Sequence, residues 1–110
     1  MPEDYPEKRR FPRISSDNPV LVTKLGPETL ERFARTRVVG LGGCMFVADA
    51  SYGVGSAVEM LISVKGQVVR ARARVAWESP TPDGKTEVGV EFLAIDDVDR
   101  RTLEQLFVTS

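Results

Sequence analysis

The segment AVEMLISVKGQVVRARARVAWE, Ala57 to Glu78, decides the fold. In Ala57 to Lys65, Val58, Met60, Ile62 and Val64 alternate with Glu59, Leu61 and Ser63. In Val68 to Glu78, Val69, Ala71, Ala73, Val75 and Trp77 take one face and Arg70, Arg72 and Arg74 the other. A period of two places alternate side chains on opposite faces of a strand, so both runs read as half-buried β-strands. Gly66-Gln67 between them makes the tight connection of a hairpin.

The pattern extends in both directions. Val20 to Leu25 is a β-rich run closed by Gly26-Pro27, and Cys44 to Ala48 is a compact apolar strand. Glu87 to Phe92 turns Val88, Val90 and Phe92 inward against Glu87 and Glu91. Glu28 to Val39 is ambiguous: Leu30, Phe33, Ala34 and Val38 share a helical face, yet Thr36 to Val39 favours strand. After the N-cap pair Asp96-Asp97, Val98 to Val108 reads as a helix with Leu103, Leu106 and Phe107 on one stripe. Short strands at regular spacing plus one terminal helix give an all-β class, a small antiparallel barrel or sandwich. Its interior is expected to hold Met60, Ile62, Val69, Ala71, Val75, Trp77, Val88, Val90 and Phe92.

Composition narrows the chemistry. The 110 residues suit one domain, and 42% apolar with 28% charged residues is ordinary globular composition. Histidine is absent, which removes His-based triads, His-ligated zinc and the commonest general base near neutral pH. A single cysteine, Cys44, excludes an internal disulfide and any Cys-x-x-Cys site, and reads as a small core residue. No catalytic residue, metal site or cofactor is expected, and the protein reads as a non-enzyme. A net charge of −1 gives no global field to recruit nucleic acid or an acidic membrane. The longest uncharged stretch, Val38 to Ala48, falls short of the roughly 20 apolar residues that span a bilayer. A cytoplasmic protein without membrane insertion is the expectation.

Two features stand out. Residues 1–18 read as a flexible basic arm, with Pro2, Pro6 and Pro12 against regular structure, preceding a barrel over residues 19–110. Within it, Lys8-Arg9-Arg10-Phe11-Pro12-Arg13 concentrates fork-shaped donors suited to phosphate or a guanine edge. Taken alone, such a cluster is also a plain solvated arm. The other is Val38-Val39-Gly40-Leu41-Gly42-Gly43, whose glycines permit positive φ and close approach to backbone N–H groups. It lacks the Gly-Lys-Ser/Thr ending of a P-loop and the strand–helix–strand frame of a dinucleotide site, and a simple glycine-rich turn is the plainer reading.

Together and in this order, the two features resemble the PilZ domain family. Arg9 and Arg13 match its Arg-x-x-x-Arg arm, with Arg10 as the commonly seen extra. Val38, Gly40 and Gly43 occupy the positions of its Asp/Asn-x-Ser/Ala-x-x-Gly turn, and Val88-Gly89-Val90-Glu91-Phe92 before an acidic turn and short helix resembles its ending. The resemblance implies a six-stranded antiparallel β-barrel with a C-terminal helix. It implies a bacterial receptor for cyclic di-GMP, with Arg9, Arg13 and assisting Arg10 clamping phosphates and the O6/N7 edge of guanine, and Gly43 as the turn glycine beside the ligand. An unidentified protein effector would be the partner, and no nucleic acid is expected.

Val38 and Gly40 depart from the family pattern. An Asp or Asn at position 38 would offer polar atoms to guanine, and Val38 offers none. Each hydrogen bond lost in this way costs about 0.5–1.5 kcal/mol. The second function that follows is a PilZ-like protein-interaction module that has lost nucleotide binding.

Overall fold

The protein is described here by a computed structural model covering residues 13–15 and 17–107. Seven strands run in chain order: β1 Arg13–Ser15, β2 Pro19–Leu25, β3 Glu28–Gly40, β4 Gly43–Ala48, β5 Ala57–Val64, β6 Gln67–Pro80 and β7 Thr86–Ala94. Helix α1, Asp97–Glu104, and a 3-10 turn, Gln105–Phe107, follow. All pairings are antiparallel in the order β1-β3-β2-β5-β6-β7-β4, and β4 also pairs with β3. That last pairing closes β2 to β7 into a six-stranded barrel, and β1 lies outside it as one extra strand.

The decisive hairpin forms as its alternation requires. Val58, Met60, Ile62 and Val64 on β5 and Val69, Ala71, Ala73 and Val75 on β6 are buried, while Arg70, Arg72 and Arg74 face solvent. The connection sits one residue earlier than expected: Val64 pairs with Gln67, and Lys65 and Gly66 both take positive φ, 49° and 81°. Two successive left-handed residues give a type I′ turn, whose twist matches the flanking strands. The ambiguous Glu28 to Val39 stretch resolves as strand because β2 and β4 both supply partners, and tertiary pairing overrides weak helical periodicity.

The core comprises these inward residues with Val20, Val22, Val39, Cys44, Phe46, Val88 and Val90. Leu103 of α1 is fully buried and seals one end, and Thr102 donates its hydroxyl to Gln67 Oε1 at 3.0 Å. Leu106 packs partly against the core, whereas the Phe107 side chain lies outside the described residues. Asp97 and Asp99 occupy the first helical turn, where the dipole favours acids, but Asp96 makes no side-chain cap. Among the described residues no buried side-chain nitrogen or oxygen lacks a partner.

Two expectations need correction. Arg13–Ser15, read as part of an irregular arm, is a strand, held to β3 by the pairings Arg13–Gly40, Ile14–Val39 and Ser15–Val38. Trp77, expected inside the barrel, is 43% exposed on the outer face. A bulge causes this: Val75 pairs with Val90 but Trp77 pairs with Gly89, so the extra residue Ala76 inverts the alternation.

Candidate functional site

The glycine turn lies where β3 passes into β4. Val39 is fully buried, so by strand alternation its neighbour Val38 faces outward. On one side Val38 pairs with Ser15 of β1 and on the other with Met45 of β4. Met45 pairs in turn with Gly89, and Gly89 with Trp77. Ser15, Val38, Met45, Gly89 and Trp77 therefore form one lateral row across five strands of the outer surface. Two residues further along β3, Gly40 pairs with Arg13. The last arginine of the arm and the first glycine of the turn are thus opposite each other.

The glycines act here through space. The left-handed glycines are Gly26, Gly53, Gly55, Gly66 and Gly84, none of them in the turn at 40–43. A side chain on Gly43 would collide with the carbonyl oxygen of Val90 on β7, so its hydrogen permits the close strand pairing. Phe92 N–H also donates to the Gly42 carbonyl oxygen at 2.8 Å, fastening the turn to β7. Gly89 works in the same way: a Cβ there would enter the Trp77 ring, and the indole lies directly on the bare backbone.

Charges border the row. Glu91 pairs with Gly43 on one side and with Arg74 on the other, and the Arg74 guanidinium donates to Glu91 Oε2 at 2.7 Å. Beside Trp77, Glu78 accepts from Ser51 Oγ at 2.6 Å and from the N–H groups of Tyr52 and Gly53 at 2.6 and 3.1 Å. Burial would raise the Glu78 pKa, but these three hydrogen bonds outweigh it and hold the carboxyl below the usual range. Cys44, directly inward of the row, is buried, and burial pushes its thiol up to about 12. Such a thiol is not a nucleophile near neutral pH.

Of the six residues expected to bind ligand, Val38, Gly40 and Gly43 lie on or beside this row. Arg13 is placed by its backbone pairing, its side chain being outside the described residues, as are Arg9 and Arg10. The expectation of a flexible arm over residues 1–18 also falls largely outside them. Trp77 and Met45 were missed by sequence reasoning. A strict period of two hides the bulge at Ala76, and the pairing that brings Met45 beside Val38 is visible only in the register. Among the described residues no group of three or more acidic or cysteine side chains could hold a metal ion. No helix there is long and apolar enough to cross a membrane.

The family model described as the PilZ domain matches residues 7–108, nearly the whole sequence. The chain belongs to the PilZ domain family. The fold agrees with solved structures at low sequence identity. Inhibitor of motility (MotI/DgrA) from Bacillus subtilis superimposes with a TM-score of 0.76 at 22% identity, over 89% of this chain and 48% of that one. YcgR from Escherichia coli in complex with c-di-GMP gives 0.73 at 20%, over 91% of this chain and 44% of that one. The PilZ domain of YcgR with c-di-GMP gives 0.69 at 20%, over 90% and 88%. This PilZ domain thus spans about half the length of the first two proteins. No curated protein matches it in sequence.

Proposed function

We propose that this PilZ domain is a cyclic di-GMP receptor, a regulatory module without catalytic activity that couples the nucleotide to a partner protein in the bacterial cytoplasm. The observation that carries the reading is the pairing of Arg13 with Gly40, which joins the basic arm to the glycine turn. Arg9, Arg10 and Arg13 supply guanidinium forks for two phosphates and the O6/N7 edge of guanine. Bidentate contacts of that kind are worth about 1–3 kcal/mol each. Val38, Gly40 and Gly43 form the low floor beneath the ligand, and Trp77 at the far end of the row offers a π-face for a base. That YcgR, which shares the fold, was solved with c-di-GMP in two structures supports the same ligand class.

A second reading is a protein-interaction module without nucleotide, and Val38 favours it. Val38 stands beside Met45, so this part of the row offers apolar side chains where guanine would seek polar atoms. Calorimetric titration of wild type and Val38→Asp with c-di-GMP separates the two. The receptor reading expects heat from wild type and tighter binding by Val38→Asp. The interaction-module reading expects no heat from wild type even at high micromolar nucleotide.

A further inference from the structure

β3 is longer than its pairing with β4. On one side, Glu28 to Arg35 pairs with β2. On the other, β4 reaches only from Thr36 to Val39, and no described strand continues the sheet beyond it. After Ala48 the chain turns away through Asp49 and Ala50, so β3 and β4 diverge. The space between them is a cavity of about 330 Å³, with Glu31, Arg32, Phe33 and Ala34 on one wall and Ala48, Asp49 and Tyr52 on the other. That is at the lower end of built ligand sites, roughly 300–1,000 Å³.

The wall contributed by β3 is backbone with its hydrogen-bonding groups facing the gap. Thr36 N–H donates to Asn18 on the β2 side at 2.9 Å, and Pro19, opposite Arg35, has no N–H to offer. Antiparallel alternation then turns the N–H groups of Arg35 and Phe33 away from β2 and into the slot, up to the bulge that follows Arg32. An open edge of this length is a template for another strand. We propose that the edge of β3 from Glu31 to Arg35 docks an extended segment of a partner protein, of alternating acidic and apolar residues, as an added strand. The proposal rests on the reading that the domain acts through a protein partner, and it does not require nucleotide binding.

The side chains at the slot set that chemistry. Arg32 lies 6.0 Å from the centre of the Tyr52 ring and makes no ion pair among the described residues. Asp49, on the opposite wall, forms its ion pair with Lys85 at 2.9 Å and feels Arg32 only as a weaker, through-space charge. A strand added here points alternate residues toward Arg32, where a carboxylate fits, and toward Phe33, where an apolar group fits. Phe33 is 80% exposed, the largest exposure among the large apolar residues of the described surface. Main-chain pairing with alternate side-chain recognition is the usual physics of strand addition.

The test is amide hydrogen exchange by NMR on the full chain, with a blocked hexapeptide of alternating glutamate and valine as probe. The Phe33 and Arg35 amides should slow by about tenfold or more, while those of Arg32 and Ala34, already bonded to β2, should not change. Arg32→Glu should switch the preference to a lysine–valine hexapeptide, and Phe33→Ala should weaken the glutamate–valine probe. No protection at millimolar probe, or equal protection by both peptides in wild type, would overturn the proposal. So would protection already present before peptide is added, which would mean that the edge is taken by this chain or a second copy. A parallel titration with c-di-GMP keeps the claims apart: nucleotide heat without peptide protection removes the docking edge and leaves the receptor, and the converse does the opposite.

Discussion

Arg13 and Gly40 face each other across the pairing of β1 with β3, so the basic arm enters the barrel surface at the glycine turn. The two motifs are separated by the whole of β2 and most of β3 in sequence, yet the register leaves no gap between them. On the receptor reading, ligand contacts from both motifs would meet at this pairing.

Gly43 should tolerate no side chain. The Cβ of Gly43→Ala would press on the Val90 carbonyl oxygen, a backbone atom of a paired strand that cannot rotate away. Overpacking of this kind costs about 1–3 kcal/mol. Denaturant unfolding of the variant should show a lower midpoint with an unchanged slope, and an unshifted midpoint would refute the contact.

The barrel was legible because period-two alternation is a local signal: Val58, Met60, Ile62 and Val64 give away their face without knowledge of any partner strand. The helix was legible for the same reason, through Leu103 and Leu106. What stayed hidden depends on register. Trp77 changes face because Ala76 forms a bulge opposite Gly89, and nothing near Trp77 in sequence identifies Gly89 as its partner. Arg13–Ser15 looked irregular because three residues carry no period, and only β3 makes them a strand. At the site, the motif positions were readable one by one, but the row from Ser15 to Trp77 exists only across strands.

Trp77 should matter to ligand and little to the fold. Its ring is half in solvent over Gly89, so Trp77→Ala opens no core cavity. If a base stacks there, the substitution should weaken c-di-GMP binding by about 1–3 kcal/mol. Thermal unfolding should stay close to wild type. Unchanged affinity in a folded variant would remove Trp77 from the site.

Cys44 gives a pH-dependent term of known sign. Its folded pKa of about 12 lies above the ordinary value of 9.0, so above pH 9 the unfolded chain releases a proton that the folded chain keeps. The contribution is constant below pH 9 and declines as pH rises toward 12. Unfolding free energies of wild type and Cys44→Ala across that range should converge with rising pH. Parallel curves would contradict the burial of the thiol.

The most direct measurement of the central claim is calorimetric titration of c-di-GMP into wild type, Arg9→Ala and Arg13→Ala. If nucleotide bridges the arm and the turn, wild type binds, and each variant binds about tenfold or more weakly, as expected for a charge-assisted contact of about 1.5–3 kcal/mol. Wild-type binding that neither substitution alters would contradict the site, and an absence of binding by wild type would contradict the receptor itself.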